Sequence, residues 1–182
     1  GITLDSKGKI QLGNVHAKTD INLNAQQVDI AAGNTVKSDR DITLASTVLN
    51  NKGNIIAGED MRLFNDNLTN TQATIQANNN LWIQKDATGN KGVKVENRSG
   101  TIKTNTGDLV IRTGSLNNVR DQIVVKEKKD LSYANLNVEK ALPLRALSDA
   151  KTYIPSIAKK EIEGEFITLT PEAEIHGEKN LY

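Results

Sequence analysis

The chain has 182 residues, 37% of them hydrophobic and only 3% aromatic, with no cysteine. That length suits one domain with a core, few large side chains are available to fill it, and disulfides, thiolate metal sites and cysteine nucleophiles are excluded. Lys+Arg 23 against Asp+Glu 22 leaves a net charge of +1, which gives no long-range attraction to nucleic acid or an anionic membrane, and no run of eighteen apolar residues offers a spanning helix.

The chain opens on Gly1-Ile2-Thr3-Leu4 with neither a starting Met nor a basic and apolar leader, as expected of a piece of a longer protein. From there an Asp or Asn followed by two alternating apolar residues recurs: Asp20-Ile21-Asn22-Leu23, Asp41-Ile42-Thr43-Leu44, Asp60-Met61-Arg62-Leu63, Asn80-Leu81-Trp82-Ile83 and Asp108-Leu109-Val110-Ile111. The intervals are 21, 19, 20 and 28 residues, and with Ile2-Thr3-Leu4 one step earlier they count about six turns of a period near 20, the solenoid range. A second landmark, Leu-x-Asn, places Asn51, Asn70 and Asn118 ten residues after Asp41, Asp60 and Asp108. In the long repeat Asn97 takes that place, so about seven extra residues fall between Ile83 and Val95. Ile56, Ile75 and Ile102 follow five residues after Asn51, Asn70 and Asn97; in the first repeat Ile10 and Val15 keep that spacing, with Ile10 at the Asn position.

Apolar residues alternate over three to five positions and are then broken by Gly, Asn, Asp or Ser, the mark of short strands between turns. Such strands bury a face only by stacking turn on turn, at about 4.8 Å per turn. The expected fold is all-β, a parallel β-helix, or β-solenoid, whose six turns make a rod of roughly 29 Å by that spacing. Asn51, Asn70, Asn97 and Asn118 then form an amide ladder. Asp20, Asp41, Asp60, Asn80 and Asp108 take turn roles, bonding neighbouring backbone amides.

From Gln122 the repeat is lost. Residues 122–164 read as a non-repeating excursion: a strand at Ile123 to Val125, a charged turn at Lys126 to Asp130, and a short helix that Pro143 starts and Pro155 ends. Ile175-His176-Gly177-Glu178-Lys179-Asn180-Leu181-Tyr182 then matches Ile75 to Trp82, so the solenoid is expected to resume over 165–182, with Ile167-Thr168-Leu169 echoing Ile2-Thr3-Leu4.

Catalytic, cofactor and metal constellations are not found. His16 and His176 are far apart and assemble no nucleophile, base and orienter set, and neither a phosphate loop nor a calcium loop is present. Glu161, Glu163 and Glu165, beside Lys159 and Lys160, read as a solvated face rather than the paired acids of a carbohydrate-active β-helix enzyme. Alternation turns Trp82 outward, in a column with Arg62 below and Val110 above, beside the insertion Lys85 to Lys91. An exposed Trp next to an Arg and a protruding loop has the make-up of a binding hot spot. The candidate recognition residues are Arg62, Trp82, Lys85, Asp86, Asn90 and Lys91, with Tyr133, Arg145 and Tyr153 of the excursion.

The stretch "VENRSGTIKTNTGDLVIRTGSLNNVRD" at 95–121, with "LNNKGNIIAGEDMRL" and "LTNTQATIQANNNLWI", resembles the filamentous haemagglutinin repeats of bacterial two-partner-secreted exoproteins, both adhesins and the CdiA effectors of contact-dependent growth inhibition. The resemblance implies a right-handed β-helix in a secreted, outer-membrane-associated cell-surface filament, exported through an outer-membrane transporter partner. It further implies a receptor-binding region that interrupts the filament, an outer-membrane protein or other receptor on a neighbouring cell as partner, and a toxin elsewhere in the protein. No enzyme activity, cofactor, nucleic acid or membrane insertion is expected of this segment. A purely structural filament segment is the alternative.

Overall fold

A computed structural model describes residues 1–132 and 159–182, with side chains described for 1–121 and 170–182. The chain forms two units, Gly1–Asp121 with Thr170–Tyr182, and Gln122–Leu169.

The first unit is a parallel β-solenoid of six turns. Turn one is β1 (Ile2–Asp5), β2 (Lys9–Leu12) and β3 (Val15–Ala17); turn two is β4 (Ile21–Ile30) and β5 (Thr35–Ser38). Turn three is β6 (Ile42–Asn51) and β7 (Asn54–Ala57), and turn four is β8 (Met61–Thr71) and β9 (Thr74–Ala77). Turn five is β10 (Leu81–Gln84), β11 (Gly92–Arg98) and β12 (Thr101–Thr104), and turn six opens with β13 (Leu109–Ile111) and β14 (Thr113–Val119). After β15 (Gln122–Ser132) and β16 (Lys159–Leu169), which belong to the second unit, β17 (Glu174–His176) completes the sixth turn.

Each turn presents three strand segments. The long strands β4, β6 and β8 supply two of them, because Gln26, Thr47 and Asp66 drop out of the ladder and let the strand bend. On the first face Ile21, Ile42, Met61, Leu81 and Leu109 stand in register, and on the third face Val36, Ile55, Ile75, Ile102 and Ile175 do. Leu181 bridges to Leu109 and starts a seventh turn. The apolar column is continuous from Leu12 to Leu109 and contains no aromatic ring. Its largest members are almost fully enclosed, each contributing about 1.5–3 kcal/mol of transfer energy.

Both polar ladders form. Asn51 Nδ2 donates to Asn70 Oδ1 at 2.8 Å, Asn70 to Asn97 at 2.9 Å and Asn97 to Asn118 at 3.0 Å. The same amides donate to backbone carbonyls at the corner between the second and third faces, among them Gly53, Ala73 and Gly100. Gly100 has to be glycine, since a Cβ there would lie 2.4 Å from Asn70 Nδ2 and 2.6 Å from Asn97 Oδ1. Along the entry to the first face, Asp20, Asp41, Asp60 and Asn80 each accept from the backbone N–H of the corresponding residue one turn on, at 2.9–3.1 Å. Asp108 accepts from the Asn180 side chain at 3.0 Å.

Four expectations are corrected. Ile10 is not at the Asn position: it pairs with Val28, while Leu12, Ile30 and Asn51 share that register. Ile56 faces outward and Ile55 fills the core, because the corner after Asn51 is one residue shorter than those after Asn70 and Asn97. The longer corners hold Gln72 and Ser99, at φ 47° and 49°, in the left-handed region that turns the chain and keeps the next strand in register. Lys126 to Asp130 are not a turn: β15 runs through them and pairs antiparallel with β16, placing Lys126 and Lys128 opposite Glu165 and Glu163, a register that opposite charges favour. Finally, Ile167-Thr168-Leu169 do not stack on the column but pair with Val124, Ile123 and Gln122 as the end of β16. The helix expected between Pro143 and Pro155 lies outside the described residues.

Candidate functional site

The excursion leaves and re-enters the column at a single bonded junction. Asp121 N–H donates to Ser99 Oγ at 2.6 Å, Ser99 Oγ shares a hydrogen bond with Thr170 Oγ1 at 2.7 Å, and Thr170 Oγ1 donates to the Asp121 carbonyl. The Asp121 carboxylate takes Gln72 Nε2 at 3.0 Å and Arg98 Nε at 3.3 Å. The left-handed corner residues Gln72 and Ser99 thus also anchor the points where the chain departs and returns. Sequence spacing carries no sign of this junction.

The outward side of the first face carries every aromatic ring of the solenoid: Phe64, Trp82 and Tyr182. Trp82 is in register with Arg62 on one side and Val110 on the other, and Tyr182 bonds the backbone to either side of Val110, through Leu109 O and Ile111 N. The Arg62 guanidinium stands 5.1 Å from the Trp82 ring centroid, a contact worth about 0.5–1 kcal/mol where water reaches it. Arg62 also approaches Asp41 at 3.4 Å and Asp60 at 3.8 Å, which fixes its reach over the ring. In the neighbouring outward column Phe64 is in register with Gln84, whose Oε1 accepts from Arg112 at 2.6 Å.

The insertion beside this surface is organised by Asp86. Its Oδ1 accepts from Thr88 N–H at 3.0 Å, Thr88 Oγ1 at 2.6 Å and Asn90 N–H at 3.3 Å, and its Oδ2 accepts from Asn90 Nδ2 at 2.9 Å. The hydrogen bonds from Thr88 and Asn90 lower the Asp86 carboxyl from its ordinary 3.8 to about 2. Gly89, at φ 87°, closes the turn, and Lys85 N–H donates to Asn90 O at 2.8 Å at the loop's base. Lys85 Nζ lies 3.6 Å from Asp66, and the Lys91 side is exposed. Asp86 and Asn90 therefore shape the loop, while Lys85 and Lys91 are its projecting charges. Arg62 and Trp82 are brought together; Tyr133, Arg145 and Tyr153 lie outside the described residues.

Other polar groups are locally matched. His16 pairs with Asp39 and His176 with Glu178, each at 2.8 Å on the exposed surface, and the hydrogen bond from His16 holds the Asp39 carboxyl below its ordinary value. Burial opposes ionisation of Asp29, but hydrogen bonds from Lys9, Gln27 and Asn50 together outweigh it and lower its pKa. Among the described residues no group of three or more His, Cys, Asp or Glu could hold a metal ion.

No protein-family model and no solved structure matches the chain. Curated relatives do. A tRNA nuclease CdiA of Escherichia coli O6:K15:H31 (strain 536 / UPEC) is 38% identical over 110 residues, 60% of this chain and 3% of that protein. A toxin CdiA of Escherichia coli is 36% identical over 112 residues, 61% of this chain and 4% of that protein. A deoxyribonuclease CdiA of Dickeya dadantii (strain 3937) is 42% identical over 83 residues, 46% of this chain and 2% of that protein. The chain spans only a few per cent of these relatives' length, so the nuclease activities in their names are theirs. With its stacked parallel turns and two turn-to-turn ladders, the chain is a β-solenoid repeat segment, similar over about 60% of its length to CdiA proteins.

Proposed function

We propose that this chain is part of a secreted bacterial cell-surface filament of the contact-dependent growth inhibition type, and that it displays a surface for a receptor on a neighbouring cell. The observation that carries this reading is the junction at Asp121 and Thr170, where a 48-residue unit, Gln122–Leu169, is set into the sixth turn without loss of register. A column that only needed length would gain nothing from such an interruption, whereas recognition residues concentrate on segments that a rigid scaffold holds out. Lys85, Lys91 and the Arg62–Trp82 pair are assigned to the same display, as secondary contacts. The receptor is an outer-membrane protein or another surface molecule, and an outer-membrane transporter exports the filament. The segment itself has no catalytic role; any toxin activity belongs to a different part of the protein.

The test is to delete 122–169 in the full-length protein, joining Asp121 to Thr170, and to measure binding to target cells. Binding is expected to fall to background while the filament is still exported. Undiminished binding would favour the alternative, a purely structural segment, for which the uninterrupted Asn and Asp ladders speak.

A further inference from the structure

Two stretches of the chain carry the triplet Asn-x-Ser/Thr in which an asparagine can accept a sugar, Asn67-Leu68-Thr69 and Asn97-Arg98-Ser99, and the fold treats them oppositely. Asn97 is a rung of the closed ladder, 0% exposed, and its Nδ2 donates to the Gly100 carbonyl at 2.9 Å, to Asn118 Oδ1 at 3.0 Å and to the Glu174 carbonyl at 3.1 Å. Ser99 is buried as well, in the hydrogen bonds of the junction. Nothing can be attached there without breaking the corner. Asn67 and Thr69 lie on the second-face part of β8, on either side of the buried Leu68, and therefore point outward. Neither side chain makes a hydrogen bond among the described residues. For Asn67 the register supplies the reason: its column neighbours are Val48, which has no polar side-chain atom, and Lys94, a donor that Glu96 holds at 3.7 Å.

We propose that Asn67 is a site of N-linked glycosylation, its donor a sugar that carries a diphosphate ester at the anomeric carbon. In the transfer Asn67 Nδ2 forms a bond to that carbon, the bond from the carbon to the diphosphate oxygen breaks with its electron pair leaving on the diphosphate, and one amide proton is released. Thr69 belongs to the acceptor because the transferase reads the hydroxyl two residues on, and alternation puts both groups on one side of the extended chain. Strand β8 is bonded along both edges, to β6 on one side and to β10 and β11 on the other, so the sugar is added before this turn stacks. Afterwards it points to solvent, where a bulky polar group adds solubility and displaces no packing. A chain modified at Asn97 instead cannot close the ladder, since the substituted amide keeps one N–H for three buried acceptors. The folded filament therefore carries the sugar at Asn67 alone. The site goes beyond the display reading and stands apart from it: its residues precede the excursion, so deleting 122–169 leaves it in place.

The experiment is mass spectrometry of peptides from the full-length protein, collected from the cells that naturally produce it, with fragmentation to place any added mass on its residue. A sugar on Asn67 is expected, with Asn97 bare; a single hexose would mark a nucleotide-activated donor and a longer chain a lipid-carried one. Thr69→Val, a change of similar shape at an outward position, should remove the added mass with Asn67 still present. Thr69→Ser should keep it, and circular dichroism of both variants should match the parent. Bare Asn67 in the parent protein would overturn the proposal, as would added mass that survives Thr69→Val or a sugar on Asn97 of the folded protein.

Discussion

The two ladders tie the same turns together in different ways. The Asn ladder at the corner of the second and third faces is closed to water, with Asn51, Asn70 and Asn97 all at 0% exposure; Asn70 and Asn97 each accept from one ladder amide and donate to the next, while Asn51, the first rung, donates to Asn70 and accepts from the Gly53 N–H. The Asp and Asn spine at the entry to the first face is half-buried; Asp20, Asp41, Asp60 and Asn80 each accept from a backbone N–H one turn on, and Asp108 accepts from the Asn180 side chain. The first is a neutral chain that cannot tolerate charge; the second consists largely of carboxylates whose remaining lone pairs face water or Arg62. Burial therefore decides which of two similar-looking sequence columns is critical for stability.

The largest effect is expected from Asn70→Asp, which puts a carboxylate into the closed ladder, opposite Asn97 Oδ1 and the Ala73 carbonyl that Asn70 now donates to. Burying an uncompensated charge beside acceptors should destabilise the fold by about 3 kcal/mol or more at pH 7. Urea unfolding of variant and parent at pH 7 and pH 4 checks it: protonation restores a donor, so the gap should narrow in acid, and a gap that is small at pH 7 would mean the ladder is open to water. Asp60→Ala is the milder break. It removes acceptors for Asn80 N–H and Asn79 Nδ2 at 2.9 Å each, and the same unfolding measurement should give about 1 kcal/mol, since water reaches the freed donors. A loss equal to that of Asn70→Asp would erase the distinction between the two columns.

The smallest effect is local. Because the folded Asp86 carboxyl is lowered to about 2 from 3.8, its contribution to loop order is fully present above pH 3.8 and is lost as pH falls through 2. Amide exchange at Thr88 and Asn90 should be slow and steady from neutral pH to about 4 once corrected for intrinsic rates, then lose protection below that. Protection that fades near neutrality would show that another group holds the loop.

Much of this architecture is legible in the sequence because a solenoid writes its contacts at a fixed spacing. Asn51, Asn70, Asn97 and Asn118 are identifiable as a ladder from their place in the repeat, and Ile175 and Leu181 match Ile75 and Leu81 across the excursion. Alternation alone places Trp82 between Arg62 and Val110. Counting fails where backbone conformation absorbs a residue: the left-handed Gln72 and Ser99 add one to their corners, which is why spacing points to Ile56 where Ile55 fills the core. It fails again at Lys126 to Asp130, where a run of charge resembles a turn until the complementary Glu163 and Glu165 are set opposite.

The corners have a consequence for how such a chain changes over generations. A residue added at a left-handed corner is swallowed there, and even the loop at 85–91 leaves Val95 stacked on Leu68. Insertions and deletions at these points therefore do not propagate as frameshifts in the packing. Gene-level length variation is filtered by position within the turn rather than by size, so alignments of related repeats should gather their gaps at the corners and stay ungapped across the ladder residues.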